Sequence, residues 1–357
     1  MTRDWTSYCF MLLLGILCYG NTLSQSTLPI ERWVNALDNE DRRHAMLWEV
    51  KNVLDTKDST ESFAILTELE KAGVGAGYRF RIKLKWLKAY TYYELTKGKP
   101  VNEIQSHLLQ LNTLLKSALF EAYGAGDDHL ATEVSRLLGY INMFSGRTEE
   151  GIMYSLNTVE LMKKLGNDNQ PEFYFTRKHL GEFLHQNREY HKSTSYLREA
   201  IQYGSGGAEG SNQVVNMLNT IALNYIRSNL TVQANVVLDT ASRLANILKD
   251  SLWMGILSGT MGELKMKEGH FEEAIPYLKT YYTVTKQFGE YSNTANALQL
   301  MGFVHIVKRE PAQAIALLHE GLEYLDIMPR PSYLLELYRH MTVAFEQEKR
   351  TDSAYHY

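Results

Sequence analysis

One pattern constrains this chain more than any other. Ala234, Ala274, Ala314 and Ala354 stand 40 positions apart, and twelve positions before each lies another small or short residue, in order Ala222, Gly262, Gly302 and Thr342. Self-similarity at one step marks a repeat architecture, whose units each bury an apolar face against the next. The physical reading is a helix–turn–helix unit in which the two small positions face each other where the paired helices cross most closely. A bulky side chain there would push the helices apart. Between them lie turns such as Lys267-Glu268-Gly269-His270 and Lys308-Arg309-Glu310-Pro311, with Gly near a helix end and Pro at a helix start. Leu238, Leu278 and Leu318 follow four positions after the second small residue, which puts them on the same buried face.

The pattern extends backwards less regularly. Gly139 and Gly151 are again twelve apart with Gly146 in the turn, and Gly181 and Ser193 repeat the pair, but the steps here are 42 and 41. Recognisable repeats therefore begin at about Asp128, and residues 25–127 read as diverged helical pairs. Arg32 to Gly73 forms one, with Asp58-Ser59-Thr60-Glu61 as a capping signal before Phe63, Leu66 and Leu69. Tyr78 to Tyr123 forms another, broken at Lys97-Gly98-Lys99-Pro100. Trp86, Tyr90 and Tyr93 at helical spacing indicate core packing, and Arg79, Arg81, Lys83, Lys85 and Lys88 indicate the wet face of that helix. The glycine-rich run from Gly204 to Asn212 follows a helix and holds Glu209 in the third glycine slot, so it reads as an inter-repeat loop and not a phosphate cradle.

In the run from Met261 to Leu278 the sequence resembles a tetratricopeptide repeat (TPR), with the Leu-Gly, Gly, Ala and aromatic/Leu slots filled in order. Ile221, Met261, Met301 and Met341 occupy the slot before the first small residue, and Ala200, Ala241 and Gly321 the later small position, which Tyr281 breaks. The first-helix aromatic is kept by Tyr225 and Phe345 but is Lys265 and His305 elsewhere; the family's Trp is absent, and the step exceeds the usual length of about 34. The resemblance implies an all-α, TPR-like helix-turn-helix solenoid, a right-handed superhelix of about six or seven helix pairs. It also implies that first helices line a concave face on which peptide-like ligands lie. Projecting the family's groove positions selects Arg136 and Tyr140, then Lys178, His179, Glu182 and His185, then Asn216, Asn219 and Arg227. Asparagine amides suit backbone capture, since each offers donors and an acceptor. The bland alternative is that these are exposed polar residues. The lysine/asparagine spacing of the chaperone-tail carboxylate clamp is not reproduced.

Residues 1–24 read as an export signal: Arg3, the apolar run Cys9 to Cys18, then Thr22-Leu23-Ser24 as a cleavage site before Gln25. Leu17 before Cys18 argues against lipidation. A retained membrane anchor is the competing reading of this run. The chain's two cysteines both lie in it, so cleavage would leave none for disulfide chemistry. The expected location is periplasmic or otherwise extracytoplasmic. Thr342 to Ala354 completes a crossing pair near the end of the sequence, which predicts a truncated last repeat in 128–357 and an apolar end near Tyr355 and Tyr357 open to self-association. An exported array of this kind resembles the sensory region of bacterial membrane-anchored histidine kinases and LuxR-type regulators.

Net charge of −4 gives no electrostatic reason to expect nucleic acid. No Gly-x-Ser-x-Gly, His-Glu-x-x-His, Walker-type lysine or paired-cysteine motif occurs. His179, Glu182 and His185 share a helix face, but imidazoles six positions apart are awkward for one metal ion. Asn229-Leu230-Thr231 is a glycosylation sequon in a turn, meaningful in a eukaryotic secretory host. The expectation is a non-enzymatic, cofactor-free module binding a protein or peptide partner, as the sensor part of a signal-transduction protein. A self-standing periplasmic or surface scaffold is the alternative.

Overall fold

The computed structural model describes residues 30–38, 50–96, 101–166, 171–204, 212–327 and 330–354, and the regular elements among them are all helical. The N-terminal apolar run, both cysteines, loop 205–211, Tyr355 and Tyr357 lie outside the described residues. No helix among the described residues is long and apolar enough to cross a membrane. The chain divides into two compact units, Met1–Lys97 and Gly98–Tyr357.

The first unit holds α1 (Ile30–Asp38), helical residues 50–55, α2 (Ser59–Ala72) and α3 (Tyr78–Thr96). Trp33, Leu37, Leu66, Leu69, Phe80 and Leu87 form its interior. The Asp58 carboxylate accepts the Glu61 amide at 2.9 Å, as the capping signal required. Trp86 is buried and stacks on Tyr90 at 5.1 Å. The basic run corrects the sequence reading. Lys83 is 1% exposed, and its ammonium donates to the Leu37 carbonyl at the end of α1. The last carbonyls of a helix have no partner within it and carry partial negative charge, so a lysine stem threaded through the core to reach them compensates its own burial. Asp38, from the same helix end, receives the Gly77 and Phe80 amides at 3.0 and 3.2 Å and so caps α3.

The second unit opens with α4 (Val101–Gly124) and continues as helix pairs: α5 (Asp128–Phe144) with α6 (Thr148–Lys164), α7 (Pro171–Gln186) with α8 (Tyr190–Gly204), α9 (Asn212–Arg227) with α10 (Thr231–Ile247), α11 (Ser251–Lys267) with α12 (Phe271–Gln287), α13 (Tyr291–Val307) with α14 (Pro311–Ile327), and α15 (Pro331–Gln347) with α16 (Thr351–Ala354). From α11 to α14 every helix has 17 residues and every turn three, which gives the 40-residue step. The small positions meet as the spacing required. A Cβ on Gly262 would fall 2.6 Å from Leu278 and 3.6 Å from the Ala274 carbonyl; on Gly302, 2.8 Å from Leu318 and 3.5 Å from the Ala314 carbonyl. Leu238, Leu278 and Leu318 are fully buried.

Tyr281, the misfit in the repeat, has its own compensation. Its ring lies where a Cβ on Gly259 would be, at 2.3 Å, so α11 gives up a side chain to admit it. The three-residue turns of the second unit close in one way. In the α11–α12 turn the Gly269 amide donates to Met266 and the His270 amide to Lys265, with Gly269 at φ 84°, a Schellman arrangement. Arg309 and Lys349 hold the same place at φ 59° and 61° without being glycine.

First helices pack on first helices: α7 on α9, α9 on α11, α11 on α13, α13 on α15. No second helix packs on the next pair's second helix to a comparable extent among the described residues. The array is therefore tightest along its first helices, which makes theirs the inner, concave face.

Candidate functional site

The positions projected from the sequence fall on the first helices, and the structure ties most of them to a polar or aromatic partner on the next first helix. On α5, Arg136 pairs with Glu133 at 2.6 Å. One turn on, the Tyr140 ring meets His179 of α7 edge-on at 4.7 Å. Lys178 and His179 both turn to Glu182, at 2.8 and 3.1 Å, and Asn216 of α9 donates to the same carboxylate at 3.2 Å. Burial opposes ionisation of Glu182, but the hydrogen bond from His179 and the charge of Lys178 outweigh it and hold the carboxyl below its ordinary value. His185 departs from this group. Its Nδ1 lies 2.7 Å from Asn224 Oδ1, and burial lowers its pKa so that the neutral ring persists.

The network continues along the array. Asn219 accepts from Thr260 of α11 at 2.7 Å, and Arg227 donates to Glu263 of α11 at 2.7 Å. These bonds span successive first helices, so each repeat positions the polar side chains of its neighbour. Two of the residues are not the exposed groups that sequence reasoning took as the bland alternative: Lys178 is 6% and Asn219 8% exposed. Their partners are satisfied within the fold, and they set the shape of the face more than they offer free donors to a ligand. Glu182, Asn216 and Arg227 keep open surface.

The face runs on beyond Arg227. Adding two 40-residue steps to Asn216 and Asn219 lands on Asn296 and Gln299 of α13. Asn293 and Asn296 flank the Tyr281 hydroxyl, at 3.1 and 3.5 Å, and the Gln299 amide lies 2.9 Å from His340 Nδ1 of α15. The repeat step was the signal that finds them. Among the described residues no three His, Cys, Asp or Glu side chains gather as a metal site. The face offers amide donors and acceptors, paired charges and aromatic edges, a chemistry for holding polar backbone in an extended segment.

No family model matches the chain, and no curated protein matches it. Solved structures do. The apo form of RapI superimposes with a TM-score of 0.62 at 13% identity, covering 87% of this chain and 84% of that one. NprR in complex with its cognate peptide NprX gives 0.59 at 17%, over 84% and 82%. A Rap protein complexed with Competence and Sporulation Factor gives 0.58 at 12%, over 92% and 96%. At these identities the likeness is one of fold: this chain is a TPR-like helical solenoid.

Proposed function

We infer that this chain is a non-enzymatic binding module whose inner face captures an extended peptide or partner segment, and that it acts as the extracytoplasmic sensor part of a signal-transduction protein. The observation that carries the binding reading is the succession of polar links between neighbouring first helices, from Glu182–Asn216 through Asn219–Thr260 and Arg227–Glu263 to Gln299–His340, with Asn216, Asn293 and Asn296 partly open on the same face. NprR, which shares the fold, was solved with a peptide in place, which supports a peptide as the occupant here. Asparagine side chains hold an extended backbone by pairing with its N–H and C=O groups whatever its side chains are. The export reading rests on the apolar run before Thr22-Leu23-Ser24.

Both parts are testable. Immobilised protein, offered a degenerate pool of heptapeptides, is expected to retain a subset, and Asn216→Ala with Asn296→Ala to lose that subset while the circular dichroism spectrum and melting temperature hold. A double variant that retains the same peptides would remove the inner face as the capture surface. For export, expression in a bacterium should yield a processed chain beginning near Gln25 outside the cytoplasm; an intact Met1 on a cytoplasmic chain would contradict it.

A further inference from the structure

Three rings gather where α5 meets α7. Tyr140 of α5 lies 4.7 Å from His179 of α7 and 6.1 Å from Phe183, one turn further along α7, with interplanar angles of 69° and 87°. His179 and Phe183 are 6.2 Å apart and within 30° of parallel. Two near-parallel rings on one helix therefore meet a third that stands across them from the neighbouring helix. All three keep part of their surface open, His179 26% of its side chain.

The same register recurs at the other end of the array with a different outcome. Phe303 follows the crossing Gly302 as Tyr140 follows Gly139, and His340 precedes Thr342 by two positions as His179 precedes Gly181. Their rings lie 5.1 Å apart, but His340 is 6% exposed and its Nδ1 meets the Gln299 amide of the next helix, so that pair is a buried joint. His179 instead turns its Nδ1 along its own helix to one oxygen of Glu182 at 3.1 Å, which fixes the ring while leaving it open. The other oxygen of Glu182 accepts the Asn216 amide of α9 at 3.2 Å. One carboxylate thus orients a ring on one side and a partly open amide on the other. The neighbouring charges are paired, Arg136 with Glu133 and Lys178 with Glu182.

We propose that the corner formed by Tyr140, His179 and Phe183 takes an aromatic side chain of the captured peptide, beside the backbone held by Asn216. Aromatic rings gain from edge-to-face and offset contacts at about 4.5–7 Å, beyond the area they bury. Rings set across one another present both edges and faces, so a flat ring finds such a contact on entering. A branched aliphatic side chain gains the burial alone, and a charged one gives up water for a place where the charges are already paired. The proposal rests on the reading of the inner face as a peptide site, and adds which side chain is read there.

Four degenerate heptapeptide pools built from Gly, Ala, Ser, Thr, Asn and Gln test it on the full chain. One position carries Phe, Tyr or Trp in the first, Leu, Ile or Val in the second and Lys or Arg in the third; the fourth carries none of these. Retention of the first pool roughly tenfold or more above each of the others is expected. Tyr140→Leu, which keeps apolar bulk without the ring, and His179→Ala should each bring the first pool down to the level of the second, at an unchanged melting temperature. Tyr140→Phe, which keeps the ring, should preserve the excess. Equal retention of all four pools, or an excess of the second or third, overturns the aromatic side chain while leaving peptide capture standing. An aromatic excess that survives both Tyr140→Leu and His179→Ala overturns this corner as its holder. No retention of any pool overturns the proposal together with the reading beneath it.

Discussion

A methyl group on Gly259 would sit 2.3 Å from the buried Tyr281 ring, which has nowhere to move. Gly259→Ala gains helix propensity of about 1 kcal/mol but forces overpacking that costs about 1–3, so net destabilisation is expected in urea melts. At Gly262 the same methyl meets the buried Leu278 side chain at 2.6 Å, and a loss through overpacking is expected there too. The left-handed turn residue Arg309 predicts the opposite sign: Arg309→Gly should stabilise by about 0.5–1 kcal/mol, because glycine adopts that backbone without a Cβ clash. His340 supplies a pH signature. Burial, aided by the Arg339 charge and opposed by Glu336, lowers its pKa from 6.5 to about 4. A depressed folded-state pKa contributes stability that is complete above pH 6.5 and is lost as pH falls towards 4, on the order of 3 kcal/mol here. Melts of His340→Gln over that range should lack this component; an unchanged pH dependence would contradict it. The small crossing positions were legible in the sequence because no larger side chain fits between the helices. Lys83, Lys178 and Asn219 were not, since nothing in a one-dimensional pattern distinguishes a polar side chain facing water from one facing the next helix.

At the level of elements, polar residues joining first helices govern how one pair sets on the next. Glu182 is the centre of one such joint, taking Lys178 and His179 from its own helix and Asn216 from the next, and removing Lys178 takes the ammonium from a partly buried carboxylate. Lys178→Ala is expected to cost about 1–3 kcal/mol, and less in a Glu182→Gln background, because a charge without its partner is what destabilises. Equal costs in the two backgrounds would show that the pair is not coupled. The helix pairs from α11 to α14 could be read from the repeat step, with their turns, since a 40-residue period divides into two 17-residue helices and two three-residue turns. Tyr281 read as a break in that pattern because its accommodation, Gly259, lies on a different helix. Where Lys265 and His305 replace the first-helix aromatic, they turn to Glu268 at 3.2 Å and Glu310 at 2.7 Å beside the turn, a polar substitute for packing.

For the second unit as a whole, the consequence of stacking first helix on first helix is a polar inner face that no single repeat possesses. Part of it was legible: the projected residues lie there, and the step that generates Asn296 and Gln299 from Asn216 and Asn219 was already in the sequence. Which of those polar side chains meet across neighbouring first helices, as Gln299 meets His340 at 2.9 Å, was not, because it depends on how each pair is rotated on the last, which composition and spacing leave open. The most direct test is photo-cross-linking with the degenerate heptapeptide pool carrying benzoylphenylalanine at one position, with the linked residues mapped by mass spectrometry. Cross-links confined to the first helices α5, α7, α9, α11, α13 and α15, lost on adding an excess of unlabelled pool, are the predicted result. Cross-links on the outer surfaces of α10, α12 and α14, or none that the unlabelled pool displaces, would contradict capture on the inner face.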